Sequence, residues 1–303
     1  MITCFTYWND GYSNMSPIIK YIYDYNTKKS KQYKFNLILL TDKNINNYIS
    51  VPSSFFDLNS EFKSEIVRFF VLDIHGGIWL NPDVIIIKNL NILYNTFINS
   101  GKQVMLDIEF YDRIGCSSII MLPKSKCSKY CVEYINNILN TTNNLLWDDI
   151  GHNTVTSLYE SYPELIMIND YEKVKKGTNI VCWDQKPEVF NKAWIKDTID
   201  EAKQTSDSIL NDQECYYVIT WTIYKLNDIN IVFNNHYSIF YYFINNKNDS
   251  IYEIEDNIIN EIKEVYNIKN KNNNLYYIII VIIIFLFIIF YLYNHTKLKI
   301  VSY

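Results

Sequence analysis

Short apolar segments alternate with amphipathic segments along the first 140 residues. Continuous or alternating apolar runs indicate strands, whereas apolar residues three and four positions apart indicate helices. Gly and Pro mark the places where one element ends and the next begins. The pattern predicts, in chain order, a strand at Ile2–Tyr7, a helix at Pro17–Tyr25, a strand at Phe35–Leu40, a helix at Glu61–Ile74, a strand at Ile78–Ile87 that breaks at Asn81-Pro82, strands at Gln103–Ile108 and Ser117–Leu122, and a helix at Lys129–Leu139. This order predicts an α/β fold with a mainly parallel sheet flanked by helices.

The C-terminal part of the chain has a different pattern. Residues 275–293 contain no charge, proline, glycine or amide over nineteen positions. A helix of this length covers about 28 Å, close to the roughly 30 Å hydrocarbon thickness of a bilayer. A buried core helix is the other interpretation, but such helices rarely lack a polar face over this length. We therefore expect a domain at 1–245, a polar stalk at 246–274, one transmembrane helix at 275–293 and a short tail at 294–303.

The N-terminus lacks the basic and apolar regions of a secretory signal, which predicts a C-terminal anchor with the large domain in the cytosol. Lysines flank both ends of the apolar run, so the positive-inside rule decides little. Six scattered cysteines show no zinc-finger spacing and suit a reducing compartment. A net charge of −5 without a long basic stretch argues against a nucleic-acid partner. The frequent Asn, Ile, Lys and Tyr suggest an AT-rich coding sequence, such as that of a large DNA virus or an AT-rich microbe.

One segment, from Ser64 to Leu90, carries the candidate chemistry: SEIVRFFVLDIHGGIWLNPDVIIIKNL. A predicted helix bears Ser64, Glu65 and Arg68, a Gly-Gly turn follows, and the next strand breaks at Asn81-Pro82-Asp83. Hard divalent cations prefer oxygen ligands and need few from the protein when a diphosphate supplies the others. A carboxylate at this strand break is therefore placed to share a metal ion with such a substrate.

This segment resembles the donor-site signature of GT-A glycosyltransferases of the capsular polysaccharide synthesis and Och1-like families, which runs S-D-x-x-R, about seven residues, then G-G-I-[WY]-L-D-x-[DT]. The opening YWNDGYSNMSPIIKYIYDYN and the strand ending LLTD are also similar to that family. The resemblance implies a GT-A, Rossmann-like fold and a Mn²⁺ or Mg²⁺ ion. It implies that Asp83 binds this metal directly. Asn81 stands in place of the first acid of the DxD motif, which contacts the ribose and often the metal; the amide keeps hydrogen-bonding capacity but lacks the charge.

The resemblance assigns further residues to the donor site, each with a structural alternative. Glu65 and Arg68 would contact donor hydroxyls and the diphosphate, or form an ion pair on a solvated helix face. Gly76 and Gly77 would let the backbone approach the donor, a role compatible with ending the helix. Near the base or ribose, the resemblance implies Tyr7 and Trp8, which otherwise pack in the core, and Asp42; Ser64 would lie beside Glu65. One of Asp148 and Asp149 would contact the sugar or acceptor, with Asp149 taken as the donor-binding residue. His236 would close the metal site or serve a structural role.

The resemblance thus implies a metal-dependent transferase that moves a hexose from a nucleotide sugar, most commonly UDP-linked, to a glycan, lipid or protein hydroxyl with retention of configuration. Two other hypotheses stay open. The first is a membrane-anchored GT-A-fold protein that has lost turnover and serves adhesion or assembly, which Asn81 and Glu65 favour. The second is a toxin-like transferase that modifies protein hydroxyls in the cytosol.

Overall fold

A computed structural model of the chain describes residues 1–51, 53–108, 114–142, 145, 146, 148–169, 195–211, 215–220 and 229–245. Residues 1–246 form one compact unit. The predicted stalk, transmembrane helix and tail lie outside the described residues and stay predictions. Within the described ranges, no helix is both long enough and apolar enough to cross a membrane.

Six strands form the sheet at the centre of the fold: β1 Thr3–Tyr7, β2 Asn36–Leu40, β3 Gly77–Leu80, β5 Val104–Ile108, β6 Ile114–Met121 and β7 Ile166–Asn169. Their order across the sheet is β2-β1-β3-β6-β5-β7. Five of these strands run parallel to one another, and β6 runs antiparallel to both of its neighbours, β3 and β5. The mainly parallel sheet is confirmed. The reversal of β6 has a simple cause, because only five residues separate it from β5 and a parallel crossover needs a dozen or more.

A second, two-stranded sheet pairs β4, Val84–Ile86, with β8, Tyr217–Ile219, in antiparallel register. The predicted strand at Ile78–Ile87 therefore divides between two sheets, and the chain changes sheet at Asn81-Pro82-Asp83. Proline has no backbone donor for a strand ladder, so the division falls where the sequence predicts a break.

Helices cover both faces of the large sheet, as predicted. Helix α1 begins at Pro17 after the N-cap Ser16, whose hydroxyl accepts a hydrogen bond from the Ile19 amide. Asn59 caps α2 through its hydrogen bond from the Phe62 amide. The helices are α1 Pro17–Tyr33, α2 Ser60–His75, α3 Leu90–Asn99, α4 Lys126–Thr141, α5 Gly151–Ser161, α6 Ile199–Asn211, α7 Ile229–Val232 and α8 Ile239–Asn245.

Alternate residues of each strand pack against the two faces. In β3, Trp79 joins the cluster formed with α2, α4 and α5, whereas Ile78 and Leu80 join the cluster formed with α3. The period of two follows from strand geometry. Cys127 and Cys131 are buried on α4 as core thiols, in agreement with their one-turn spacing.

Candidate functional site

The loop Asn81-Pro82-Asp83 leaves the carboxyl end of β3 and is held from several sides. The Asn81 amide N–H donates to the carbonyl of Ser117 at 2.8 Å, and Val84 N–H donates to the carbonyl of Asn81 at 3.0 Å. The Thr220 hydroxyl, after β8, donates to the carbonyl of Asp83 at 2.6 Å. Asp83 itself is only 7% exposed. The backbone that carries the candidate metal-binding carboxylate is therefore fixed by both sheets.

Helix α1 also supports this loop, through Asn26. Its side-chain Nδ2 donates to the carbonyl of Val84 at 2.7 Å, and its Oδ1 accepts from the amide of Ile86 at 2.9 Å. The buried side chain thus occupies the position of a neighbouring strand along β4. Asn26 carries no motif signal, and it lies just beyond the helix that the sequence predicts at Pro17–Tyr25.

Asn81 has its side-chain oxygen occupied twice. Oδ1 accepts a hydrogen bond from Arg68 Nη2 at 2.9 Å and another from Trp79 Nε1 at 2.9 Å. Arginine and the tryptophan indole are donors only, so the atom that faces them must be the oxygen and not the amide nitrogen. An sp² oxygen has two lone pairs, and both are used. The predicted role of Asn81 as a metal ligand through this oxygen is therefore not supported by the geometry.

Glu65 and Arg68 form a two-point ion pair beneath Asn81. Arg68 Nη1 lies 2.7 Å from Glu65 Oε2, and Nη2 lies 3.0 Å from Oε1. Arg68 is 1% exposed, so this is not a pair on a solvated helix face. Burial raises the pKa of Glu65, and the neighbouring guanidinium opposes that rise. The pair orients Asn81; the predicted contact of Arg68 with a diphosphate would need a guanidinium nearer to the surface.

The start of α5 closes over Glu65. A Cβ built at Gly151 would lie 2.0 Å from Glu65 Oε2, so a larger residue does not fit there while Glu65 is held by Arg68. Asp148, one turn earlier, adds a negative charge that favours a higher pKa for Glu65. Asp149 instead accepts a hydrogen bond from the Leu146 amide at 2.7 Å and closes its own loop. Of the two neighbouring acids, Asp148 is therefore the one that acts on this network.

A second polar group joins the carboxyl ends of β1 and β2. The Tyr7 hydroxyl donates to Asp42 Oδ1, and Lys63 Nζ donates to Asp42 Oδ2 at 2.8 Å. Tyr7 is buried, and burial together with the Asp42 hydrogen bond raises its pKa. Its ring is packed in the core and is not open for a base to stack on. Trp8 is partly exposed and packs against a third core cluster, formed by α1, α6 and α8, so it remains the better candidate for a base contact.

Gly76 and Gly77 lie at the amino end of β3, whereas Asp83 follows its carboxyl end. Their φ angles are 63° and 100°, and added Cβ atoms would lie 2.5 Å from Pro123 Cδ and 2.4 Å from the carbonyl oxygen of Thr3, respectively. Thr3 begins β1, whereas the site lies beyond the carboxyl ends of the strands. The two glycines end α2 and let β3 start close to β1, which is the structural alternative. Ser64 is half-buried on α2 beside Glu65.

The metal assignment depends on Asp83. His236 is exposed in the turn before α8, where its ring lies 4.2 Å from that of Tyr241. In the part of the chain that the structure describes, no three His, Cys, Asp or Glu side chains group around a possible ion position. A single carboxylate is enough for Mg²⁺ or Mn²⁺ when a substrate diphosphate and water complete the shell. A site with Asp83 as its protein ligand therefore fits a metal ion that binds together with a diphosphate. His236 as a further ligand stays a prediction.

Asp107 is a buried acid near the end of β5. The sequence pattern shows its place in the strand but not its partners. Its carboxylate accepts hydrogen bonds from the Tyr217 hydroxyl, at 2.6 Å to Oδ2, and from Asn169 Nδ2, at 3.0 Å. Burial raises the pKa of Asp107 to about 6. These bonds join β5 and β7 of the large sheet to β8 of the small one. Tyr217 lies three residues before Thr220, whose hydroxyl binds the carbonyl of Asp83.

Comparison with known proteins finds one matching family model and several similar solved structures, among them two glycosyltransferases. A family described as "Capsular polysaccharide synthesis protein" matches residues 2–112. No curated protein matches the chain. A structure titled "PaToxG Glycosyltransferase" is 16% identical, with a TM-score of 0.39, over 53% of this chain and 69% of its own. One titled "crystal structure of a glycosyltransferase involved in the glycosylation of the major capsid of PBCV-1" is 11% identical, with a TM-score of 0.44, over 76% of this chain and 98% of its own.

Both TM-scores are below 0.5, so neither likeness bears on substrate or mechanism. The family match ends before α4, α5, β7 and β8, and these elements are outside it. It does include Glu65, Arg68, Asn81 and Asp83. The matched family and this network together support a glycosyltransferase assignment for the chain.

Proposed function

We propose that the chain is a GT-A-type glycosyltransferase that moves a hexose from a nucleotide sugar to an acceptor hydroxyl and that depends on Mn²⁺ or Mg²⁺. The observation that carries the proposal is the buried Asp83 carboxylate on a loop held by Ser117, Thr220 and Asn26. A fixed carboxylate at the carboxyl edge of a mainly parallel sheet lies where ligands of open α/β sheets bind. UDP as the donor nucleotide and retention of configuration come from the family resemblance.

The chemical task is departure of a nucleoside diphosphate from an anomeric carbon, with negative charge growing on the leaving phosphate. Asp83 would hold the metal, which supplies a positive charge that neutralises the leaving group. The chain's contribution is to keep Asp83 in place before the reaction begins, so that little reorganisation is needed. Glu65 and Arg68 act indirectly, because their ion pair holds the neighbouring Asn81 and does not contact the reacting atoms.

The proposed setting is a membrane surface. With residues 275–293 across a bilayer and the domain on its cytosolic side, the donor site would face cytosolic nucleotide sugars, and a lipid-linked or membrane-protein acceptor would be the natural partner. The acceptor would be identified by mass spectrometry of glycans and intact proteins from cells that produce the chain.

The direct test is nucleotide release by the full-length chain. Purified protein is incubated with UDP-sugars and Mn²⁺, and free UDP is measured with and without EDTA. We expect release that EDTA abolishes and that Asp83→Asn lowers at least a hundredfold, the range typical for loss of a group that stabilises developing charge. Asp57→Asn removes the same charge from an exposed turn and serves as the control. Equal release by Asp83→Asn and wild type would contradict the proposal.

A second function, binding without turnover, is favoured by one observation, the amide at position 81 where the resembling family has an acid. In that case the protein would bind a nucleotide sugar or glycan in adhesion or assembly. Metal-dependent binding of UDP-sugars with no release of UDP, in the presence of a range of acceptors, identifies this alternative. Absence of any nucleotide binding excludes the transferase and leaves glycan binding as the form of the alternative that is then tested with glycans.

A further inference from the structure

The second half of α1 and the region around α3 form a basic part of the surface. Residues 25–41 and 84–106 contain six lysines and no aspartate or glutamate, although the whole chain has a net charge of −5. Hydrogen bonds between Asn26 and β4 hold the two stretches together, and Asn91 Nδ2 donates to the carbonyl of Tyr33 at 2.6 Å. The positive charge is therefore concentrated in space as well as in sequence.

Three of these lysines lie on the outside of α1 and at its end. Lys28, Lys31 and the C-cap residue Lys34 are all exposed, and a spacing of three residues places Lys28 and Lys31 on one helix face. Asp24, one turn before Lys28, accepts a hydrogen bond from the Tyr12 hydroxyl at 2.7 Å. A lysine in the last turn stabilises the end of a helix, but that role does not account for Lys28, which lies before the last turn.

An exposed apolar residue lies beside the lysines. Ile92, in the first turn of α3, is 54% exposed, and the hydrogen bond from Asn91 to Tyr33 places this turn beside the end of α1. Lysines around an exposed apolar side chain are typical of surfaces that bind anionic membranes, where the charges meet the head groups and the apolar side chain enters the interface. Lys102, at the far end of α3, donates to the carbonyl of Glu164, an exposed acid, so the surface ends before it.

The C-terminal sequence favours a membrane over a soluble polyanion as the partner. Residues 275–293 are predicted to span a bilayer, and residues 246–274 connect them to the end of α8. A connection of this length reaches at most about 100 Å, so the domain stays near the bilayer. Each lysine at an anionic leaflet contributes about a fivefold preference for contact, and three give roughly a hundredfold. Such a preference is weak for a free domain but sufficient for one that is tethered at the surface.

We infer that Lys28, Lys31, Lys34 and Ile92 form a docking surface through which the anchored domain binds an anionic membrane. The inference rests on the proposed membrane setting and not on sugar transfer. The end of α1 leads into the amino end of β2, so docking turns the carboxyl ends of the strands, and Asp83 with them, away from the bilayer. Of the proposed acceptors, a membrane protein that extends from the bilayer then fits better than a lipid head group.

The test is lysine labelling of the full-length chain in vesicles. The chain is reconstituted into phosphatidylcholine vesicles and into vesicles with about 30% phosphatidylserine. A membrane-impermeant acetylating reagent is added, and the labelling rate of each lysine is measured by mass spectrometry. We expect Lys28, Lys31 and Lys34 to react at least about fivefold more slowly in the anionic vesicles, and about 0.5 M NaCl to abolish this difference by screening the charges. Lys43, exposed after the carboxyl end of β2, should react equally in both.

A charge-matched pair of variants tests the surface independently. The first variant combines Lys28→Gln, Lys31→Gln and Lys34→Gln, and the control combines three substitutions of exposed lysines on other elements: Lys43→Gln, Lys129→Gln and Lys203→Gln. Energy transfer from the tryptophans to a dansyl-labelled lipid reports how close the domain lies to the bilayer. In anionic vesicles we expect the first variant to fall to the level of the wild type in neutral vesicles, and the control to keep the wild-type level.

Equal labelling of the three lysines in both kinds of vesicle, or an equal loss of energy transfer in both variants, overturns the inference while the anchor and sugar transfer stand. Protection of these lysines by added poly-L-glutamate but not by anionic vesicles assigns the surface to an acidic protein and also overturns it. A chain that does not float with neutral vesicles lacks the anchor, and the inference then fails together with the membrane setting. Release of UDP tests sugar transfer separately in every case.

Discussion

The buried carboxylate of Asp107 makes a specific prediction about stability and pH. Asp107 is 1% exposed and its pKa is raised from 3.8 to about 6, because burial disfavours the charged form more than the hydrogen bonds from Tyr217 and Asn169 favour it. The folded chain therefore holds this proton more tightly than the unfolded chain does. Stability from this group is fully present below pH 4, is lost as the pH rises through about 6, and is constant above that.

The size of the effect follows from the difference in pKa. About two pKa units correspond to about 3 kcal/mol of unfolding free energy between pH 4 and pH 7. Asp107→Asn has no titrating group at this position, and its amide oxygen can still accept the hydrogen bond from Tyr217. Any constant cost of the substitution cancels when the variant and the wild type are compared across pH.

The assay is urea unfolding followed by tryptophan fluorescence, at half-unit steps from pH 4 to pH 7.5. We expect the unfolding free energy of Asp107→Asn, minus that of the wild type, to rise by about 3 kcal/mol over this range. Asp57→Asn removes an exposed carboxylate and should give a nearly flat difference. A flat or falling difference for Asp107→Asn would refute the reasoning, since it would mean that burial does not raise this pKa.

Two further predictions concern the group around Glu65. Gly151→Ala brings a methyl group to within 2.0 Å of Glu65 Oε2, and we expect a loss of about 1–3 kcal/mol in unfolding free energy and weaker nucleotide binding, measured by urea unfolding and calorimetry. Arg68→Gln leaves the partly buried Glu65 without its ion-pair partner and should cost about 3–5 kcal/mol in unfolding free energy. Glu65→Gln combined with Arg68→Gln should recover part of that loss, and a double variant no more stable than Arg68→Gln would contradict the ion-pair argument.

The order of elements was accessible from the sequence because local patterns determine it. Apolar runs, helical spacing, the Gly76-Gly77 stop and the Asn81-Pro82 break predict β1, α1, β2, α2 and the divided strand to within a few residues, although α1 continues to Tyr33 rather than ending near Tyr25. The direction of β6 was not predicted, even though the five-residue connection before it allows only an antiparallel neighbour.

The assignment of roles within the site required the tertiary structure. The sequence by itself determined which segment carries the chemistry, that Asp83 ends a strand, and that Glu65 and Arg68 share a helix face, because these depend on residues close in the chain. Only the fold decided that Arg68 is buried against Asn81 and that Gly76 and Gly77 lie at the end of β3 away from the site. It also decided which distant residues support the site: Asn26, Lys63, Gly151 and Thr220. Hydrogen bonds between residues distant in sequence depend on which elements pack together, and a pattern of neighbouring residues does not contain that information.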